Sequence, residues 1–216
     1  HLLFSGNAGI GKTTLAKILL NELGVNDLDV LEINASREND VDTVRTKIIN
    51  FVQMIPFGAF KVVMLDEADY LSPNAQAALR GVMETYATTS RFILTCNYPN
   101  RIIPALHSRC QGFHVEKIDP DAAFNRVKSI LQDENIKFDE EVLANYMLAT
   151  YPDLRKCLGL LQQNSTSGKL NIPGENDRSV KDWKLDAVTL FKAGKLAILV
   201  STLTQFKAKS TKHKHL

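Results

Sequence analysis

Apolar and polar positions follow two rhythms along this chain. Through the first half, short apolar runs of strand length alternate with longer stretches in which apolar residues recur at helical spacing. Leu2–Phe4, Val30–Asn34, Lys61–Leu65, Arg91–Cys96 and Gly112–Val115 read as strands. Lys12–Leu23, Val41–Met54 and Asn74–Tyr86 read as helices, with a short helical turn at Ile103–Leu106. Strands alternating with helices predict a parallel sheet covered on both faces, an α/β domain over residues 1–117. Past Pro120 the strand rhythm stops. Asp121–Asp133, Glu140–Thr150 and Leu154–Gln163 predict a small domain of three helices over 118–166. Glycine, proline and polar residues cluster after Ser167, as in a linker, here assigned to 167–180. Asp186–Leu203 predicts one more helix, so 181–216 reads as a partial helical segment, with a lysine- and histidine-bearing tail from Lys207 that reads as frayed.

Composition narrows the picture modestly. The 216 residues leave room for one ordinary domain and a smaller one, and 44% apolar residues suit a packed core. A net charge of +2 does not mark a general polyanion binder, so any basic surface has to be local. The cysteines, Cys96, Cys110 and Cys157, form no C-x-x-C pair, which excludes a zinc ribbon and a disulfide framework. Together with the lack of a signal peptide or a membrane-length apolar run, this predicts an intracellular setting, cytoplasmic or nuclear. The chain opens inside its first strand, so an N-terminal piece is expected to be missing.

The chemistry is concentrated at two strand ends. Gly6-Asn7-Ala8-Gly9-Ile10-Gly11-Lys12-Thr13 is a complete G-x-x-x-x-G-K-T phosphate loop between a strand and a helix. In such a loop the backbone N–H groups from Asn7 to Thr14 converge on phosphate oxygens and the helix adds its positive end. Lys12 is placed to reach the β- and γ-phosphates, and the Thr13 hydroxyl to ligate magnesium. Val62-Val63-Met64-Leu65 then runs into Asp66 and Glu67. The first carboxylate suits magnesium and the second suits polarising an attacking water. Asn97 ends the apolar strand Phe92–Cys96, and as a parallel neighbour it would present its amide to the γ-phosphate and that water. Nucleoside triphosphate with Mg2+ is the cofactor set that follows.

These residues resemble the AAA+ ATPases and, within them, the clamp-loader ATPase subunits of the replication factor C small-subunit and tailed-phage type. The resemblance covers roughly residues 1–165. It is carried by Asn34-Ala35-Ser36, Leu65-Asp66-Glu67-Ala68-Asp69, Ala75-Gln76-Ala77-Ala78-Leu79-Arg80, Met83-Glu84, Asn97 and Ile103-Pro104-Ala105-Leu106-His107-Ser108-Arg109-Cys110. It implies a P-loop AAA+ parallel-sheet domain followed by a helical lid and a collar. It also implies that Arg109 acts in trans as an arginine finger on a neighbouring subunit's ATP, a task for which a planar cation is suited. Tyr151-Pro152-Asp153-Leu154-Arg155 is similar to the sensor-2 motif, which makes Arg155 a lid contact to ATP. Pro-Asp before that arginine, in place of Gly-Asp, leans towards the phage type and so towards a host-cell cytoplasm.

Three departures stand beside it. The segment before the first strand that helps hold adenine is absent, Asn7-Ala8 replaces a common Pro-Pro, and the region after Lys195 does not look like a collar. The implied partners are other clamp-loader subunits, a sliding clamp and primer–template DNA, with no membrane. Arg37, Arg45 and Arg80, with the helix N-termini near Val41 and Asn74, are the candidate phosphate contacts to DNA. Arg80 has a second reading as a link from DNA to Glu67. Two rival functions remain open at this stage. One is a branch-migration or unwinding motor of the same superfamily. The other is a nucleotide-gated scaffold that does not hydrolyse.

Overall fold

A computed structural model of the chain describes residues 1–165 and 168–171, without the side chains of Thr43 and Val44. The further helix expected at 186–203, the tail from Lys207 and most of the linker lie outside these residues. The chain forms two compact units, His1–Lys117 and a second beginning at Ile118.

The first unit is built on a five-stranded sheet of β1 (Leu2–Ser5), β2 (Val30–Asn34), β3 (Lys61–Asp66), β4 (Ser90–Cys96) and β5 (Gln111–His114). The order is β2-β3-β4-β1-β5 and every pairing is parallel. Helices α1 (Lys12–Glu22), α2 (Val41–Gln53), α3 (Pro73–Thr85) and the short α4 (Pro104–His107) connect the strands. Side chains alternate faces along each strand. Val63 and Leu65 of β3 and Phe92 and Leu94 of β4 therefore join the core with Ile48, Val52, Leu79 and Met83 from α2 and α3. Val62, Met64 and Ile93 point the other way and pack with Ala16 and Leu20 of α1. Burial on both faces explains why β3 reads as one continuous apolar run.

Local signals set the element ends. Ser72 caps α3, its hydroxyl accepting from the Ala75 N–H at 3.2 Å, with Pro73 in the first turn. Helix α1 stops at Glu22, and Gly24 follows in the left-handed region. The loop from α2 to β3 leaves Met54, Ile55 and Phe57 exposed.

The amino edge of the sheet carries a buried ion pair. Asp29 and Lys61 are both inaccessible, with the ammonium 3.0 Å from Asp29 Oδ1. The same carboxylate accepts from the N–H groups of Phe57 at 3.0 Å and Gly58 at 2.7 Å. Lys61 also donates to Leu28 O at 3.3 Å and lies over the Phe51 ring at 4.7 Å.

The second unit holds α5 (Pro120–Asp133), α6 (Glu140–Thr150) and α7 (Leu154–Gln163). Each begins on an aspartate, Asp119, Asp139 and Asp153, whose carboxylate accepts from first-turn N–H groups. Val127, Leu131, Leu143, Tyr146, Cys157 and Leu161 form its core.

Candidate nucleotide site

Strand order assembles the site. In register, Asn34 lies beside Asp66, Leu65 beside Leu94, and Ser5 beside Cys96. The residues that follow, Gly6 after β1, Glu67 after β3 and Asn97 after β4, therefore leave the carboxyl edge side by side. Ligands of open parallel sheets bind at that edge.

Gly6, Gly9 and Gly11 all adopt positive φ in the phosphate loop. Gly6 has φ +151°, and a Cβ there would meet Val115 O at 2.5 Å and Ile10 Cδ1 at 2.7 Å. Gly11, with φ +94°, opens α1 in the left-handed region, a conformation glycine adopts without steric cost. Asn7 and Ala8 are exposed at the loop tip, Gly9 is half-buried, Ile10 is buried, and Thr14 is exposed on the first turn of α1.

Lys12 is buried. Its ammonium donates to Gly6 O at 3.0 Å, Asn7 O at 2.6 Å and Asn97 Oδ1 at 2.8 Å. The lysine and the asparagine thus meet although 85 positions separate them. The Thr13 hydroxyl donates to Asp66 Oδ1 at 2.7 Å. A hydroxyl and a carboxylate converging beside a phosphate loop are hard oxygen donors, the type Mg2+ takes along with water and phosphate oxygens. Among the described residues no cluster of three or more His, Cys, Asp or Glu offers a metal an all-protein cage.

Glu67 is half-buried and adopts φ 57°, ψ 42°, a left-handed conformation that costs a non-glycine residue roughly 1–3 kcal/mol. Its N–H donates to the Thr95 hydroxyl at 3.1 Å, and that hydroxyl donates to Asp66 Oδ1 at 2.5 Å. Asp69 Oδ2 accepts from the N–H groups of Asn97 at 3.3 Å and Tyr98 at 3.1 Å. Burial, and after it the charge of Asp69, push the Cys96 thiol up to about 11 against the opposing pull of Lys12. Cys96 is therefore a neutral thiol near pH 7 and no nucleophile beside the site.

Arg109 lies apart from this cluster. Its guanidinium donates to Ala105 O at 2.7 Å and to the Ser108 hydroxyl at 3.2 Å, and pairs with Glu84 of α3. Arg80 Nε is 3.9 Å from the same Glu84 carboxylate. Arg80 thus pairs with Glu84, and among the described residues its ion pairing does not involve Glu67. Arg37 and Arg45 are exposed, and Arg155 is exposed in the first turn of α7, in the second unit. Thr95 was not singled out from the sequence, and Asp69 and Glu84 stood there only within motif strings, without a role. Thr95 left one trace, a lone hydroxyl inside the apolar run Phe92–Cys96.

A phosphate loop at the first strand, two carboxylates at the third and an asparagine at the fourth, on one parallel sheet, define a P-loop nucleoside triphosphatase domain. The chain belongs to the ATPase family associated with various cellular activities, AAA, whose profile matches residues 2–116. Among named relatives it is 39% identical to the replication factor C small subunit of Methanococcus vannielii over 173 residues, 78% of this chain and 55% of the relative. The replication factor C small subunit of Archaeoglobus fulgidus is 42% identical over 174 residues, 79% of this chain and 54% of the relative. Replication factor C subunit 2 of Saccharomyces cerevisiae is 37% identical over 203 residues, 87% of this chain and 58% of the relative. The chain spans about half the length of the relatives it matches. A solved structure of a RuvB mutant from Thermotoga maritima superposes with a TM-score of 0.65 at 15% identity, covering 80% of this chain and 58% of that one. At that identity the likeness concerns the fold alone. No helix among the described residues is long and apolar enough to cross a membrane.

Proposed function

We propose that the chain is the ATP-hydrolysing part of a clamp-loader subunit, which with neighbouring subunits places a sliding clamp on primer–template DNA. The observation that carries this reading is a division of labour. Lys12, Thr13, Asp66, Glu67 and Asn97 stand together, while Arg109 is held on α3 and α4 by Glu84 and Ala105. A site complete except for its arginine suits a seam between protomers, with each chain lending Arg109 to the next. Similarity to replication factor C small subunits over most of the chain supports the same reading.

The residues divide the work as follows. Backbone N–H groups from Asn7 to Thr14, with Lys12, bind and orient the phosphates. Thr13 and Asp66 would hold Mg2+, which supplies charge neutralisation at the phosphate oxygens. Glu67 orients a water and accepts its proton, and Asn97 fixes the water's position. Arg155, by its similarity to the sensor-2 arginine, is assigned to ATP binding. Arg37, Arg45 and Arg80 meet DNA phosphates, a sequence-independent contact that a chain of net charge +2 can make locally. Exposed Met54, Ile55 and Phe57 supply apolar surface of the kind a protein partner covers. The setting is intracellular, where replication takes place: cytoplasmic, or nuclear in a eukaryote.

The test is ATP turnover by the full assembly, with and without primed DNA and clamp. Turnover should rise when both are added. Arg109→Ala should lower the stimulated rate by about 10³-fold or more, the scale of a finger supplied from outside. An unchanged rate refutes the trans role.

A further inference from the structure

We infer that Thr95 is a positioning residue for hydrolysis: its buried hydroxyl sets the orientation of both carboxylate residues at the end of β3. This rests on the reading that Glu67 activates water against ATP.

One hydroxyl grips two consecutive residues. It gives its single proton to Asp66 Oδ1 and receives the N–H of Glu67. The side chain of one acid and the backbone of the other are thereby referred to the same atom. Glu67 needs such a reference, because its left-handed backbone is not a conformation the chain holds unaided.

A second bond set crosses the first. Asp69, in the turn after Glu67, is buried and accepts from the N–H groups of Asn97 and Tyr98, just beyond β4. One bond set runs from β4 to the turn after β3, and the other from that turn to the segment after β4. A single tie between two loops leaves a hinge. Crossed ties remove it and fix the spacing of Glu67 from Asn97. Asn97 is also tied to Lys12, so the frame extends to the phosphate loop.

Packing alone does not call for a hydroxyl at this position. Thr95 is 1% exposed, and its neighbours along the carboxyl half of the strand, Phe92, Ile93, Leu94 and Cys96, are buried and apolar. Valine has the same shape and would bury without the cost of desolvating a polar group. Of the two hydroxyls on Asp66 Oδ1, Thr13 is also a candidate cation ligand, and its bond is the exchangeable one. Among the described residues the Thr95 hydroxyl bonds to Asp66 and Glu67 alone, so it can keep both in place while the contacts of Thr13 change.

The experiment uses the full assembly carrying Thr95→Val, with Thr95→Ala as a second variant should valine disturb folding, and Thr95→Ser as the conservative rescue. Thr95→Val should lower kcat by about tenfold or more while KM for ATP stays within about twofold, as expected when orientation rather than binding is lost. Thr95→Ser should return kcat to within about threefold of the parent. Independently of turnover, hydrogen exchange at the Glu67 amide should speed up by about tenfold in the valine and alanine variants, with the amides of β3 unchanged. An unchanged kcat together with an unchanged Glu67 amide overturns the assignment. So does a loss of kcat matched by an equal weakening of ATP binding that serine fails to rescue. If the parent assembly hydrolyses no ATP, the proposed function falls, and exchange at the Glu67 amide still decides whether Thr95 holds that residue.

Discussion

Two lysines are buried at opposite edges of the same sheet, and their acceptors differ in kind. Lys61, at the amino edge, faces the Asp29 carboxylate across 3.0 Å and is enclosed by Phe51 and Phe57. Lys12, at the carboxyl edge, donates among its contacts to Gly6 O, Asn7 O and Asn97 Oδ1, which are uncharged oxygens. A buried cation matched by a buried anion is electrostatically spent, and its work is to hold structure. Bonds to neutral oxygens can be exchanged for bonds to a phosphate, at which point the same charge serves binding. Burial alone does not separate a structural lysine from a functional one; the chemistry of the acceptor does.

Substitution at each lysine sharpens that contrast. Lys12→Ala should weaken ATP binding most, by about 100-fold or more, since bonds between a cation and an anionic ligand are the stronger class. The melting temperature of the nucleotide-free protein should change little. Calorimetric titration and a thermal melt read the two quantities. Lys61→Met should show the reverse pattern. It strands the Asp29 charge in the interior, so the melting temperature should fall by about 10 °C, with ATP affinity within about threefold of the parent. If Lys61→Met weakened ATP binding as much as Lys12→Ala, the proposed separation of roles would fail.

A smaller effect appears in acid. Burial pushes the Asp29 carboxyl up. The Gly58 N–H, the Lys61 ammonium and the Phe57 N–H outweigh that push, and the net direction is down. A carboxyl lowered in the folded state contributes stability that is fully present above the ordinary aspartate range, about pH 4. The contribution is lost as pH falls through that range towards the depressed folded value. Melting curves between pH 6 and pH 3 should therefore steepen in their pH dependence at the acid end. Asp29→Asn should flatten that part of the profile, and an identical profile for the two proteins would count against it.

Residues whose roles depend on local spacing were legible in the sequence, and those whose roles depend on register were not. The loop from Gly6 to Thr13 carries its own geometry in its glycines, and the apolar run before Asp66 and Glu67 announces a strand end. Asn97 was readable because it too closes a strand. Thr95 gives no such sign, since its value comes from lying beside Asp66 once β3 and β4 align. Asp69 was quoted only at the end of the string from Leu65, and only the strand order brings the Asn97 and Tyr98 N–H groups to it. The Asp29–Lys61 pair joins residues in different βα units, and neither position is unusual in its own neighbourhood. Glu84 was quoted for its place in a motif, without the tie to Arg109 that the close approach of α3 and α4 creates. Helix ends differ by a residue or so: α1 ends at Glu22 where the pattern ran on to Leu23, because Leu23 and Gly24 close the helix.

Gly6 carries a consequence for how such a chain can change over generations. Every codon one base away from a glycine codon either stops translation or specifies a residue with a Cβ, or is silent. At this position that carbon would collide with the Val115 carbonyl. The mouth of the phosphate loop and the backbone leaving the last strand are thus locked together. Sequence drift can reshape either one only by moving both.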